Sequence, residues 1–238
     1  VEYFPDIHFD VGNEIGRQTV VVVDRQGRSP TAGKRAIVRP RTKNRQKTDQ
    51  KSSGREMAKI YMVRHGKAAA GFDGHADPGL DDLGRSQAEA TAAMLADLGP
   101  LTIYSSPLAR ARETAVPLAE RWSSEIIIEP RVAEIPSPTE DLAERSAWLR
   151  QAMAGNWSTL DEPLQAWRRA LIECVTAIPD DSVVFCHFIA INVAVGGAEN
   201  DDRMVIFSPD NGSVTTFSND GGELKVLELG KTAITHVN

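Results

Sequence analysis

Residues 59–66 read KIYMVRHG, and residues 80–99 read LDDLGRSQAEATAAMLADLG. The first stretch begins with an apolar run typical of a buried strand and ends in arginine, histidine and glycine. The second stretch has apolar residues at helical spacing and ends at Gly99, a residue type that stops helices. A strand followed by an amphipathic helix, with polar residues at the strand end, indicates an α/β fold.

The alternation of strands and helices continues along the chain. Further strands are predicted over residues 101–106, 125–130 and 182–187, and helices over residues 107–122, 140–153 and 162–178. Pro117 should end the second helix or kink it. A hairpin around residues 210–212 and a last strand over 223–229 complete the pattern. We therefore predict an α/β three-layer sandwich with a mostly parallel central sheet, helices on both faces and an antiparallel edge.

The first 56 residues differ in composition from the rest of the chain. Residues 25–55 contain eleven Lys or Arg against one acid, whereas residues 57–238 carry 15 basic and 26 acidic side chains. Residues 39–55 have almost no apolar side chains, so they cannot offset the entropy lost on ordering. We predict a basic, flexible N-terminal extension over residues 1–56 and one folded domain over residues 57–238.

The overall composition indicates the class of protein and its expected location. The hydrophobic and charged fractions are 41% and 25%, and no apolar run approaches the roughly 20 residues that span a bilayer. No signal-peptide pattern is visible, so we expect no membrane contact and a cytoplasmic location. Cys174 and Cys186 lie in apolar stretches and are predicted to be buried thiols. The basic extension lacks interleaved aromatic residues, so a nucleic-acid partner is not predicted.

Polar residues end three of the predicted strands. They are Arg64-His65-Gly66, Ser105-Ser106 with Arg110 one turn beyond, and His187. The carboxyl ends of parallel strands form the usual site of such sheets, so these residues should meet there. Two histidines and two arginines suit phosphoryl transfer, because a neutral imidazole can attack phosphorus while arginines bind the equatorial oxygens.

Three blocks of sequence resemble the histidine phosphatase superfamily, also called phosphoglycerate-mutase-like. They are YMVRHG with its following LDDLGRSQA helix, SSPLARARETA at residues 105–115, and FCHF at residues 185–188. NGSVTTF at residues 211–217 resembles the strand that closes this fold. The blocks occur in the correct order on the correct elements, which makes the signal specific, and the resemblance covers residues 57–238.

The resemblance implies roles for individual residues. His65 matches the nucleophile that becomes phosphohistidine. Arg64, Arg110 and His187 match the residues that hold the phosphate. Arg110 fills the second arginine position of the family pattern, and Arg112 does not.

The resemblance also implies a general acid. Glu134 matches the carboxylic acid that protonates the leaving oxygen and then activates water, a role that requires a raised pKa. Glu129 and Glu140 are neighbouring alternatives. No set of His, Cys or carboxylate residues has metal-ligand spacing, so neither a metal nor a cofactor is predicted.

The chain departs from the superfamily pattern in three places. Phe188 stands where glycine is usual, which predicts a narrower pocket. Residues 67–70, KAAA, lack the hydroxyl and Asn groups of the mutases and look more like the small phosphohistidine phosphatases. The segment between Glu134 and His187 is shorter than the lid-bearing insertion of the mutases, so water should reach a phosphoenzyme.

Together these features predict a metal-independent phosphomonoester hydrolase that acts through phosphohistidine at His65. Its substrate would be a phosphorylated small molecule or a phosphorylated protein side chain, and the sequence leaves both open. Two alternatives remain. One is a phosphoglycerate-type mutase, and the other is a phosphate-binding module in which Phe188 blocks turnover.

Overall fold

The computed structural model describes residues 57–70, 77–139 and 141–233. The strands of this part of the chain are β1 Ala58–Arg64, β2 Thr102–Ser105, β3 Ile126–Ile128, β4 Ser182–Cys186, β5 Val214–Asp220 and β6 Glu223–Glu228. Its α-helices are α1 Asp82–Leu95, α2 Ala109–Trp122, α3 Leu142–Met153, α4 Glu162–Thr176 and α5 Phe188–Glu199. The predicted extension over residues 1–56 lies outside the described residues, and the domain boundary stays a prediction.

The strands form one sheet in the order β3-β2-β4-β1-β5-β6. The strands β3, β2, β4 and β1 run parallel to one another. The strand β5 is antiparallel to β1, and β6 is antiparallel to β5. Every residue of β4 is buried, as its continuous apolar run predicted. The predicted mostly parallel sheet with an antiparallel edge is therefore confirmed.

Helices cover both faces of the sheet. On one face, α1 and α2 pack against Val183 and Phe185 of β4 through Leu95 and Leu118. On the other face, the core contains side chains of α3, α4 and α5 together with Met62 and Val184. The predicted three layers are confirmed. Both cysteines are buried and free, as predicted.

The predicted hairpin around residues 210–212 is wrong. The hairpin joins β5 to β6 through Gly221 and Gly222, whose φ angles of +61° and +102° favour glycine. Residues 210–212 form a turn that contacts the end of β1, where Gly212 N donates to Arg64 O over 2.9 Å. Pro209 lies just before this turn and lacks the N–H that a paired strand would need.

The prediction that Pro117 could end the second helix is wrong, and its alternative, a kink, stays a prediction. Helix α2 continues through Pro117 to Trp122, because the following Leu118 and Ala119 are buried against the sheet and packing outweighs one missing hydrogen bond. Helix α5 was not predicted. It is buried almost all round from Phe188 to Gly196, so it lacks the polar face that reveals a helix in sequence. Within the described residues, no helix is both long and apolar enough to cross a membrane.

Candidate active site

The carboxyl ends of three adjacent strands bring the predicted residues together. His65 follows β1, and its N–H donates to Cys186 O at the end of β4 over 3.0 Å. Ser106 follows β2, and its N–H donates to Phe185 O over 2.9 Å. His187 follows β4, and its ring centroid lies 5.2 Å from that of His65. The strand order therefore places both histidines side by side, as the sequence predicted.

The surroundings of His65 determine which of its ring nitrogens carries the proton. Its Nδ1 lies 2.7 Å from Gly66 O, which can only accept, so the proton is on Nδ1 and the lone pair on Nε2. Arg110 Nε donates to that Nε2 over 3.2 Å. Burial, and then the charges of Arg110 and Arg64, lower the pKa of His65 to about 3. The imidazole is therefore neutral near pH 7.

Two arginines supply fixed positive charge beside this imidazole. Arg110 is only 4% exposed, and its guanidinium nitrogens lie 3.7 Å from a carboxylate oxygen of Asp77 and 3.7 Å from one of Glu134. Arg64 Nη1 donates to Pro209 O over 2.8 Å, and its buried Nε has no hydrogen-bond partner among the described residues. Charged N–H donors of this kind form strong hydrogen bonds with anions. Arg112 lies on the exposed face of α2, away from this cluster of buried side chains.

Phe188 lies beneath one of these arginines. The Arg64 guanidinium carbon is 5.2 Å from the centre of the Phe188 ring, a cation–π contact. Phe188 also belongs to the core on the α3–α5 face of the sheet. The Phe188 side chain, which was expected to narrow the pocket, thus packs against the core and the Arg64 guanidinium.

Glu134 completes the cluster after β3. It is 8% exposed, with Oε2 3.6 Å from His187 Nδ1 and 3.7 Å from Arg110 Nη2. Its Oε1 accepts from Ile135 N over 3.2 Å. Burial raises the pKa of Glu134, and the positive charge of Arg110 opposes that shift. Burial has the larger effect, because the nearest guanidinium nitrogen of Arg110 is 3.7 Å away, beyond hydrogen-bond distance.

The two alternative carboxylates have other surroundings. Glu129 accepts hydrogen bonds from the Arg131 guanidinium over 2.7 and 2.8 Å, and this pairing lowers the pKa of Glu129. Glu140 lies outside the described residues. Of the two candidates that can be compared, Glu134 is the one whose environment favours a bound proton.

Sequence reasoning missed three residues that support the cluster. Asn211 Nδ2 donates to His65 O over 2.9 Å. Thr114 Oγ1 accepts from Gly66 N over 3.0 Å and donates to Arg110 O over 2.6 Å, so it ties the first block to the second. Asp77 Oδ1 accepts from Ala109 N at the start of α2 over 2.9 Å. Thr114 and Asn211 lie within the sequence blocks that resemble the superfamily, and their place in those blocks could have marked them as residues of the site.

The three histidines outside the cluster, His8, His75 and His236, lie outside the described residues.

The cluster also contains a set of potential metal ligands. One atom each of His65, Glu134 and His187 lies within 4.8 Å of the others. Spacing along the sequence could not reveal this set, because the three residues follow different strands. Arg64 and Arg110 lie beside it, and their charges would repel a divalent cation.

The fold and the cluster place the chain among α/β proteins that carry histidine and arginine side chains at the carboxyl edge of the sheet. Residues 60–232 match the pattern of the histidine phosphatase superfamily, branch 1. The chain therefore belongs to the histidine phosphatase superfamily, as the three sequence blocks predicted.

The relatives include proteins named as probable mutases and proteins named as phosphatases. The chain is 27% identical over 159 residues to a probable phosphoglycerate mutase of Erwinia tasmaniensis, covering 58% of this chain and 74% of the relative. It is 28% identical over 180 residues to the glucosyl-3-phosphoglycerate phosphatase of Mycobacterium tuberculosis, covering 67% and 73%. A phosphoserine phosphatase structure from Entamoeba histolytica, in complex with 3-phosphoglyceric acid, superposes with a TM-score of 0.61 at 21% identity, covering 74% of this chain and 98% of that one. That superposition shows a shared fold.

Proposed function

We propose that the chain is a phosphomonoester hydrolase that acts through a phosphohistidine at His65. The observation that carries this proposal is the neutral, buried His65 Nε2, which faces the Arg110 side chain at 3.2 Å. A phosphate oxygen that takes up this Arg110 donor would release the lone pair, which then faces the phosphorus atom of the same phosphate group.

The first step transfers the phosphoryl group to the protein. The phosphate oxygens take up the donors of Arg64 and Arg110 together with His187 Nδ1, and His65 Nε2 attacks phosphorus in line with the ester oxygen. The bond from phosphorus to the ester oxygen breaks. The departing oxygen takes a proton from Glu134, which becomes a carboxylate, and the alcohol leaves.

The second step returns the protein to its starting state. The Glu134 carboxylate removes a proton from a water molecule as the water oxygen attacks the phosphorus of phosphohistidine. The phosphorus–nitrogen bond breaks, and its electron pair returns to His65 Nε2. Inorganic phosphate leaves, and Glu134 again carries a proton.

The substrate class follows from the relatives. Two of them are named for glucosyl-3-phosphoglycerate and phosphoserine, which are phosphate esters of small molecules. We place the substrate of this chain in the same class, with a phosphorylated protein side chain as the alternative. A mutase would need a bisphosphorylated cofactor to maintain the phosphoenzyme.

We propose that the reaction needs no metal ion. Arg64 and Arg110 supply the positive charge that a divalent cation would otherwise provide to the equatorial oxygens. The same charges oppose binding of a cation to His65, Glu134 and His187.

Hydrolysis of an aryl phosphate, with and without chelator, tests the proposed activity. We expect turnover that survives exhaustive EDTA treatment, and then a preferred ester in a panel of small phosphate esters and phosphopeptides. Absence of turnover with every ester would favour the phosphate-binding module. Activity that required EDTA-sensitive metal would contradict metal independence. Interconversion of phosphoglycerates that depended on a bisphosphorylated primer would favour the mutase.

A further inference from the structure

Ser106 lies directly against His187, at the ring nitrogen opposite the one that is near Glu134. Its Oγ is 2.8 Å from His187 Nε2, and both side chains are fully buried. The other ring nitrogen, Nδ1, is buried and has no hydrogen-bond partner among the described residues. The Oε2 atom of the Glu134 carboxyl group lies 3.6 Å from this Nδ1. His187 therefore has one nitrogen bound to a hydroxyl and one open toward the cluster.

The hydrogen-bond partners of Ser106 decide which nitrogen carries the proton. Ser106 Oγ already accepts from Leu108 N over 3.2 Å. Its single hydroxyl proton has one acceptor nearby within the described part of the chain, the Nε2 lone pair of His187. If Nε2 carried the proton, the hydroxyl proton would be buried without an acceptor, which is costly.

The same choice is favoured at the opposite end of the ring. With the proton on Nδ1, the imidazole presents a donor toward Glu134 and toward any phosphate oxygen in the cluster. With the proton on Nε2, it would present a lone pair to a bound phosphate oxygen, and two acceptors cannot hydrogen-bond to each other. A neutral histidine can offer a donor on only one side, so its partner on the other nitrogen determines which side that is.

We propose that Ser106 is a positioning residue, which donates its hydroxyl proton to His187 Nε2 and thereby holds the His187 proton on Nδ1 to bind the phosphoryl oxygens. This inference deepens the proposed function and rests on it for the identity of the anion. The tautomer of the free protein is a separate observable, which can be measured without any turnover.

The chain offers a matched control in the preceding residue. Ser105 is also fully buried, but its Oγ donates to Ser106 O over 2.9 Å and contacts neither histidine. Ser105→Ala therefore removes a buried hydroxyl of the same strand end and leaves the His187 contact. Ser106→Ala removes the hydroxyl that binds His187, and Ser106→Thr restores a hydroxyl.

Nitrogen NMR of the full chain labelled with 15N in its histidine rings measures the tautomer. His187 is assigned by loss of its signals in His187→Gln. We expect Nδ1 of the unmodified chain to give the signal of a protonated nitrogen and Nε2 that of an unprotonated acceptor. Ser106→Ala should move His187 toward the Nε2-protonated form or a mixture. Ser105→Ala should leave the signals unchanged.

Binding of inorganic phosphate gives the second readout. Ser106→Ala should weaken phosphate binding by about tenfold or more, the size of a lost hydrogen bond to a charged group. Ser106→Thr should recover both the tautomer and the affinity, and Ser105→Ala should bind as the unmodified chain does. Thermal unfolding of each variant identifies any variant that fails to fold.

The outcomes separate this inference from the proposed function. An Nε2-protonated His187 in the unmodified chain overturns it, and so does an unchanged tautomer in folded Ser106→Ala. If the tautomer changes as expected but the chain hydrolyses no ester, the positioning role stands and the proposed hydrolase does not. If the tautomer changes while phosphate affinity stays the same, the Nδ1 proton does not bind phosphate and the inference fails.

Discussion

At the scale of single residues, burial has opposite consequences for the proton content of His65 and Glu134. Burial disfavours the charged form of either group, so it lowers the pKa of His65 and raises that of Glu134. Burial therefore favours the neutral form of both groups, which is the unprotonated form of the proposed nucleophile and the protonated form of the proposed acid. This is the distribution that a leaving alkoxide requires.

Glu134→Gln tests the acid with two leaving groups. Nitrophenolate leaves without a proton, whereas an alkoxide needs one. The substitution should therefore slow phosphoryl transfer from an alkyl phosphate by about 10²–10⁴-fold and affect an aryl phosphate much less. The rate to measure is the pre-steady-state burst, because Glu134 is also proposed to activate water in the second step.

Glu129→Gln serves as the control for this comparison, since the Glu129 carboxylate pairs with Arg131 and lies outside the cluster. Its burst should remain near that of the unmodified chain for both esters. Equal slowing of both esters by Glu134→Gln would mean that Glu134 maintains the pocket and is not the acid. An unchanged burst for both would remove Glu134 from the mechanism.

The sequence predicted the proposed catalytic and phosphate-binding residues better than the residues that hold them in place. His65, Arg110 and His187 occur in blocks whose residue types are set by the chemistry, so their convergence could be expected. The role of Asp77 depends on where its loop meets the start of α2, and one sequence does not contain that information. The donor and acceptor choice at His187 depends on distances, and these too required the structure.

At the scale of elements, two glycines let the start of α1 approach the end of β1. A side chain at Gly66 would clash with the Gly84 carbonyl, and one at Gly84 would clash with the Lys67 carbonyl. Asp81 caps the helix by accepting from Gly84 N over 2.7 Å. Helix α1 is therefore fixed against the chain segment that follows His65. This close approach explains why the helix sequence LDDLGRSQA has a glycine at position 84.

Gly84→Ala separates this contact from helix propensity. Propensity alone would stabilise α1 by about 1 kcal/mol, because alanine is the better helix former. The backbone clash should instead destabilise the chain by about 1–3 kcal/mol, as overpacking does, and lower turnover. Chemical denaturation measures the sign. Gly155→Ala is the control for a milder contact, because the new Cβ would be 3.3 Å from Ala152 O, and it should destabilise the chain less than Gly84→Ala does. A stabilised Gly84→Ala chain would refute the close approach.

Elements with distinct periodicity were predictable, and elements governed by tertiary packing were not. The strand β4 and the helix α1 have patterns that local sequence displays. Helix α5 is apolar on every side, and the sequence at residues 210–212 gives a genuine turn signal that the fold uses outside a hairpin. In both cases the deciding interaction is with a distant part of the chain.

At the scale of the whole molecule, two buried neutral histidines should make stability depend on pH. The pKa of His65 falls from 6.5 to about 3 on folding, and that of His187 is also well below 6.5. The unfolded chain binds these protons below pH 6.5 and the folded chain does not. Their contribution is therefore fully present above that pH and is lost as pH falls toward 3. The raised pKa of Glu134 acts in the opposite direction, because the folded state then binds the proton more tightly.

His65→Gln should reduce this acid sensitivity. Between pH 6.5, the ordinary pKa of histidine, and pH 4.5, that of glutamate, the unmodified chain should lose about 2 kcal/mol more unfolding free energy than the variant. Denaturation curves at several pH values within this range measure the difference. Parallel losses in the two chains would show that His65 binds a proton as readily when folded as when unfolded.

Removal of residues 1–56 tests the predicted domain boundary. The superfamily match begins at residue 60 and β1 at Ala58, so a chain that starts at Met57 retains every described element. We expect its thermal midpoint and its turnover of an aryl phosphate to equal those of the full chain. A lower midpoint would show that the first 56 residues stabilise the domain, and slower turnover alone would show that they assist the site.

The central claim is that His65 carries the phosphoryl group, and rapid-quench labelling tests it most directly. The enzyme is mixed in excess with a labelled aryl phosphate and quenched in alkali, where phosphohistidine survives, and the labelled residue is located by peptide mass spectrometry. We predict one phosphoryl group on His65. We also predict none on His65→Gln, with turnover lower by several orders of magnitude, as expected when a covalent step is removed. A label on another residue, or near-normal turnover by folded His65→Gln, would contradict the mechanism.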